Sequence, residues 1–244
     1  MATGGSWSEV SRSTTNFARV CKLLMDGGTK VLREVFDSIH PPHSLRRTLL
    51  DPANHKILKN LYTRKILFKE QWDKLYPASS HAVDSKSFDI TLLYLLLRSI
   101  CHLPTPAGGW SNLPAPTNMN TEDDIVRLKL FRNQIAHSER PALSQEDFDD
   151  SWNDISNVLV RLGGAHYQQE IDDLKVLSME QEDEKFYVRC LKEALQAAED
   201  KFMQRFDQHE VKMDEVLCKL DELGKVLHQM SSKDSPADTS IQGI

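Results

Sequence analysis

The chain holds few of the residues that punctuate or cross-link small folds. Glycine and proline number ten each in 244 residues, so turns and loops take up little of it. It has no glycine-rich phosphate loop and no nucleophile elbow. The four cysteines, Cys21, Cys101, Cys190 and Cys218, stand far apart. None forms the CxxC pair from which zinc fingers and RING domains are built, so neither a metal nor a cofactor is expected. They read as reduced cytosolic or nuclear thiols packed between helices, and a cytoplasmic chain is expected. No basic segment, apolar core and cleavage site of a secretory leader opens the sequence. The most apolar run, Ile90 to Leu97, ends at Arg98. A membrane span needs roughly 20 such residues, so this run reads as a buried core helix and no membrane partner is expected.

What remains is ordinary globular material, 40% hydrophobic and 27% charged, which excludes a disordered chain. A net charge of −6 argues against a protein that coats nucleic acid along its whole length. The charge is uneven, however. Arg46, Arg47, Lys56, Lys59, Arg64, Lys65, Lys69 and Lys74 face only Asp51, Glu70 and Asp73 in the stretch from His43 to Lys74. From Glu170 onward acids outnumber bases. The basic half suits an anionic ligand, but solvated faces of surface helices are the reading preferred for it.

The hydrophobic spacing is helical throughout, with no strand-like alternation and no internal repeat, so the fold class is all-α. Residues 1–13 read as a disordered polar lead-in. A helical domain follows over 14–178, then a coiled-coil-like helix over 179–230 and a disordered tail over 231–244. Within the domain a first helix carries Phe17 to Ile39, with Gly27-Gly28 as a break and Pro41-Pro42 as its stop. Short helices fit Leu45–Leu50 and His55–Tyr62, and another runs from Arg64 to Leu75. Asp84-Ser85 is read as the cap of the apolar helix that continues to Leu103. A proline-rich connection leads on to Thr121, which with Asp124 resembles a capping box. Ser144 with Asp147 repeats that device, and Gly163-Gly164 is a stop signal. In the last segment Leu195, Ala198, Phe202, Phe206, Met213, Leu217, Leu220, Leu227 and Met230 recur at mostly three- and four-residue steps. That pattern points to a self-associating helix, with a helix folded back on the bundle as the alternative.

The stretch richest in chemistry is Arg127 to Ser138. Ile125, Leu128, Phe131 and Ile135 form an apolar stripe, and Arg132 falls roughly 40° from its centre. A guanidinium there needs a carboxylate, a carbonyl or a phosphate as partner. Asn133 and His137 are four residues apart and share another face. Histidine titrates near neutrality and can move a proton at a ribose 2′-hydroxyl, while arginine suits a phosphate. These are the parts of metal-independent RNA cleavage. Trp72, Trp110 and Trp152 are of the kind that stacks bases, but packing and loop anchoring are the readings preferred for them. His40-Pro41-Pro42-His43 reads as a helix-ending turn rather than a metal site. Arg98 on the apolar helix is expected either to pair with Asp89 or Asp124, or to bind phosphate.

The Arg-x4-His spacing, with a polar residue directly after the arginine, resembles the hallmark of the HEPN superfamily. The wording is most similar to the DZIP-type HEPN domain, carried on the N-terminal side of a DAZ-interacting, RNA-binding E3 ubiquitin ligase and its relatives. The likeness is borne by His40-Pro41-Pro42, Gln71-Trp72-Asp73-Lys74-Leu75-Tyr76-Pro77, Ser87-Phe88-Asp89-Ile90-Thr91-Leu92-Leu93, Gly109-Trp110, Asp124-Ile125-Val126-Arg127-Leu128-Lys129, and Arg132-Asn133 with His137. It implies a helical bundle that dimerises, with the motifs of two protomers meeting at the interface. By that implication Arg132 and His137 are catalytic and Asn133 orients them. Many domains of the superfamily assemble complexes or bind RNA without cutting it, so two functions stand open. One is an RNA-binding protein, single-stranded RNA being the substrate and cleavage its activity. The other is a non-enzymatic oligomeric adaptor in a signalling, innate-immune or ubiquitin-related complex. Both expect a homo-oligomer through the bundle and the 179–230 helix. Ligase activity is not expected, because the sequence has no RING.

Overall fold

The computed structural model describes residues 7–78 and 83–193. These are helical with no strand among the described residues, as the hydrophobic spacing requires. The first helix, α1 (Trp7–Lys22), starts inside the segment expected to be a disordered lead-in. The middle of α1 is tied to the rest of the chain, since the Leu143 amide donates to the Ser13 carbonyl over 3.0 Å.

Gly27-Gly28 does not break the helix that follows. The chain passes from α1 through a single π-helical turn, Leu23–Gly28, directly into α2 (Thr29–Ile39). The glycines serve close approach: a Cβ on Gly28 would lie 3.1 Å from Ile90, and one on Gly27 3.3 Å from Leu159. After Pro41-Pro42, α3 (Leu45–Leu50) and α4 (Pro52–Thr63) follow in quick succession. Asp51 caps α4 by accepting from the Ala53 and Asn54 amides, with Pro52 in the first turn, where its missing N–H costs nothing.

The helix expected over Arg64–Leu75 is shorter than that spacing implied. Lys65 adopts a left-handed conformation, φ 55°, which ends α4 in a tight turn. Only α5 (Lys69–Leu75) is helical, with the Gln71 side chain reaching back to the Phe68 amide. Asp84 caps a short 3₁₀ turn, Ser85–Ser87, rather than the apolar helix. The apolar helix α6 (Ile90–Ile100) takes Asp89 as its cap, through the Leu92 amide at 2.8 Å, and stops before Leu103.

In α6, Ile90, Leu92 to Leu97 and Ile100 are all buried, which makes it the central helix, packed against α2. The next helix, α7 (Thr121–Ala136), packs on α8 (Gln145–Gly163), and α8 also rests on α1 and α2. Ser144 caps α8 as expected, and Gly164, at φ 101°, closes it. Trp152 is buried core, so of its two readings packing holds. A short helix, α9 (Tyr167–Val176), was not read from the sequence.

The 179–230 segment enters the described residues only at its start. Residues 181–193 are helical and fold back onto the bundle: Thr15 bonds Glu184, Tyr187 bonds both Lys22 and Asp26, and Leu191 is fully buried. Its remainder and the 231–244 tail lie outside the described residues. No helix among the described residues is long and apolar enough to cross a membrane.

Candidate functional site

The expected chemistry sits on α7, and α7 is buried on more sides than one apolar stripe would require. Ile125, Leu128 and Ile135 are core residues, but Asp123, Asp124, Arg127 and Arg132 are buried as well. Each of the basic residues on it meets a different environment.

Arg127 and Asp124 serve the fold. Asp124 was expected to complete a capping box with Thr121; instead Asn120 occupies the cap position and the Asp124 carboxylate turns to two arginines. Arg127 Nη1 donates to it at 2.7 Å, and Arg161 on α8 grips both its oxygens, Nε and Nη2 each at 2.7 Å. The other Arg127 nitrogen, Nη2, donates to the Ala115 carbonyl at 2.7 Å and so pins the proline-rich connection. Two further bonds hold that connection: Tyr94 Oη donates to the Trp110 carbonyl at 2.7 Å, and Asn112 donates to the Gly108 carbonyl. Trp110 is therefore a loop anchor.

Arg132 lies against α6. Its Nη2 donates to the Thr91 hydroxyl at 3.0 Å and its Nη1 to Asn133 Oδ1 at 2.8 Å. Arg132 is only 6% exposed, and burial lowers its pKa from the ordinary value while Asp89 opposes that shift. Asn133 thus lies beside Arg132, half-buried, and His137 follows one turn later. His137 is exposed and ends the helix, its amide donating to the Asn133 carbonyl at 2.9 Å.

A second cation belongs to this corner. Lys129 is half-buried, with its ammonium over the Tyr94 ring, 5.1 Å from the centroid, and 3.4 Å from the Trp110 carbonyl. Burial, then Arg98, then Arg132 lower its pKa. Arg98 pairs with neither Asp89 nor Asp124, the partners expected for it; it is exposed beside Tyr94 and repels Lys129. Three cations therefore converge where α6 and α7 meet, and among the described residues no carboxylate pairs with Lys129. Such a corner can hold a phosphate. Thr91 and Tyr94 were missed from the sequence, although they are the two polar breaks in the apolar run of α6.

On the other side of α7, a cleft of about 430 Å³ runs along α8 past Ser138. Asp147, Asp150 and Asp154 line it, a charge that repels a phosphate chain. No cluster of histidine, cysteine, aspartate or glutamate fit to hold a metal occurs among the described residues.

Comparison with known proteins agrees with the family resemblance. Residues 42–187 match the family model described as DZIP3/hRUL138-like HEPN. The E3 ubiquitin-protein ligase DZIP3 of Homo sapiens is 31% identical over 163 residues, 65% of this chain and 13% of that protein. The Mus musculus protein of the same name gives the same values, 31% over 163 residues. The chain therefore aligns with only a small part of these relatives. No solved structure matches it. With its matched segment running from the turn before α3 past the end of α9, the chain belongs to the DZIP3/hRUL138-like HEPN family.

Proposed function

We propose that the chain binds RNA at the corner of α6 and α7 and, as a dimer, cleaves it without a metal. The observation that carries this reading is the convergence of Arg98, Lys129 and Arg132 where α6 and α7 meet, on the helix that the exposed His137 ends. Lys129, half-buried over the Tyr94 ring, is repelled by Arg98 and Arg132, and a bound phosphate would relieve that repulsion. In the proposed step the His137 imidazole takes the proton of a ribose 2′-hydroxyl. The 2′-oxygen then bonds to phosphorus as the bond to the 5′-oxygen breaks. That leaving oxygen takes up a proton, and the products are a 2′,3′-cyclic phosphate and a 5′-hydroxyl. Arg132 offsets the charge that builds on the phosphoryl oxygens, and Asn133 holds Arg132 in place. On the α7 helix the directions of Arg132 and His137 differ by about 140°. Two copies meeting at this corner bracket one phosphate more easily than one copy does.

A chelator-treated assay on mixed-sequence single-stranded RNA tests the reading, with wild type and His137→Ala compared at matched oligomeric state. Cleavage by the wild type leaving cyclic phosphate ends, and its loss in the variant, is the expected result. Binding should weaken as salt rises. Failure of a folded, oligomeric wild type to cut RNA removes the catalytic role.

One observation favours a second reading, a non-enzymatic oligomeric adaptor. Arg132 is buried and bonded to Thr91 on the neighbouring helix, as a residue that only fastens α7 to α6 would be. In that reading the bundle and the 179–230 helix both serve association. Leu217→Asp then dissociates the oligomer, and His137→Ala changes nothing in RNA. The relatives' printed name, ubiquitin ligase, makes a ubiquitin-related complex a natural setting for such an adaptor.

A further inference from the structure

The α3–α5 region carries a surface that the motif on α7 does not use. Its centre is a row of rings. Tyr62 and Trp72 lie 4.7 Å apart between centroids and Trp72 and Tyr76 4.4 Å apart, both pairs tilted by little more than 30°. His55 meets Trp72 and Tyr76 edge-on. The row has a fixed end and an open end. Tyr76 is fixed, its hydroxyl donating to the Leu49 carbonyl at 2.8 Å. Tyr62, at the other end, is 37% exposed.

Cations surround this row. On α4, His55, Lys59 and Tyr62 fall within about 60° of one another, so Lys59 shares the face that carries the rings. Arg64 and Lys65 project from the turn that follows Tyr62, and Arg46 borders Tyr76 at the other end. Arg46, Arg47, Lys56, Lys59, Arg64 and Lys65 are all exposed, and none takes part in an ion pair among the described residues. Three acids lie in the same stretch, Asp51, Glu70 and Asp73, of which Asp51 is occupied as the cap of α4 and Asp73 pairs with Lys69. An ordinary solvated face mixes both signs of charge; this one is nearly all positive and exposes Leu50, Ile57 and Tyr62 among its cations.

We propose that this face of α3, α4 and α5 binds single-stranded RNA, with a base stacked on Tyr62 and backbone phosphates on Lys59, Arg64 and Lys65. A row of rings flanked by unpaired cations is the combination single strands need: a platform for the π-face of a base beside charges for the backbone. A duplex keeps its bases stacked inside and gains only the charge term. An acidic peptide offers the charge but no base. The surface lies near the α7 motif, since Lys74 on α5 approaches Asp89 at 4.0 Å at the start of α6. The proposal nevertheless makes no use of the chemistry proposed for His137.

The test is fluorescence anisotropy on the full chain with a labelled oligouridylate of roughly 12 nucleotides. The variants are Tyr62→Ala and the triple change Lys59→Glu, Arg64→Glu, Lys65→Glu. All four positions are exposed, and melting curves confirm that the fold is kept. The triple change is expected to weaken binding more than about tenfold and to flatten its salt dependence. Tyr62→Ala is expected to weaken binding at least about fivefold with the salt slope intact. Cleavage is scored on the same variants alongside binding, so loss of cleavage and loss of this surface are read separately. Three results would each overturn the proposal: a wild type that fails to bind the strand, variants that bind as tightly as wild type, and a duplex or polyglutamate bound as tightly as the oligouridylate.

Discussion

At the residue scale, α7 shows how similar side chains on one helix divide between fold and site. Arg127 and Arg132 are both buried, and both sit in the stretch that the sequence marks as chemical. Arg127 is matched by a carboxylate with 1% exposure, which Arg161 also grips, so its charge is used up in holding α7, α8 and the proline-rich connection together. Arg132 has a hydroxyl and an amide oxygen among its partners, and these fix the orientation of its guanidinium. The difference has a measurable consequence. Asp124→Ala takes the carboxylate from two arginines and leaves Arg127 buried with its charge uncompensated. Breaking a buried pair in this way costs about 3–5 kcal/mol, far more than the loss of an exposed pair such as Lys69–Asp73. Urea unfolding of the two alanine variants, Asp124→Ala and Asp73→Ala, should separate them by that margin. Equal midpoints would mean that Asp124 is not the tie described. Arg132's place near the seam could be read from its offset along the helix. Thr91 and Arg161 could not, because they come from helices 41 and 37 residues away and only tertiary packing brings them in.

At the element scale, helix ends set by local chemistry were legible and those set by packing were not. The bounds of α3 and the cap and stop of α8 follow from adjacent residues, and they stand where the spacing put them. The π-helical turn at Leu23–Gly28 leaves the apolar period nearly intact, so it reads as a glycine break until α6 and α8 are seen pressing against it. The short α9 has Tyr167, Ile171 and Leu174 at helical spacing, but acidic neighbours outweigh so brief a stripe. The junction between α8 and α9 is also the place to test an element boundary. A Cβ on Gly163 would lie 2.6 Å from two ring carbons of Tyr167 and 3.0 Å from Val31. Alanine favours a helix over glycine by about 0.5–1 kcal/mol, whereas overpacking costs about 1–3 kcal/mol. Tyr167 is 2% exposed and has no room to swing away, so the clash wins. Gly163→Ala should lower Tm by several degrees in a thermal melt, and a rise in Tm would show that α9 yields.

At the scale of the whole molecule, the ionisable groups buried in the bundle make its stability fall at high pH. Burial pushes the Cys21 and Cys101 thiols from the ordinary 9.0 up to about 12. Burial likewise pushes the Tyr76 phenol from 10.0 to about 12, and raises Tyr167 further. In the unfolded chain these groups give up their protons near their ordinary values, while in the bundle they keep them. Between about pH 9 and 12 the unfolded state therefore binds fewer protons, and stability that is fully present below this window is lost across it. Lys129, whose pKa is lowered by burial, acts in the opposite sense, but it is one group against several. From pH 9 to about 10.5 each buried thiol accounts for up to about 2 kcal/mol. Urea midpoints taken at about pH 8 and about pH 10.5 should thus fall steeply for the wild type. Cys21→Ala with Cys101→Ala removes two of the groups responsible, so the doubly substituted chain should lose less over the same interval even if it starts from a lower midpoint. If both proteins lose the same amount, the alkaline loss comes from the buried phenols or from surface repulsion among carboxylates rather than from the two thiols.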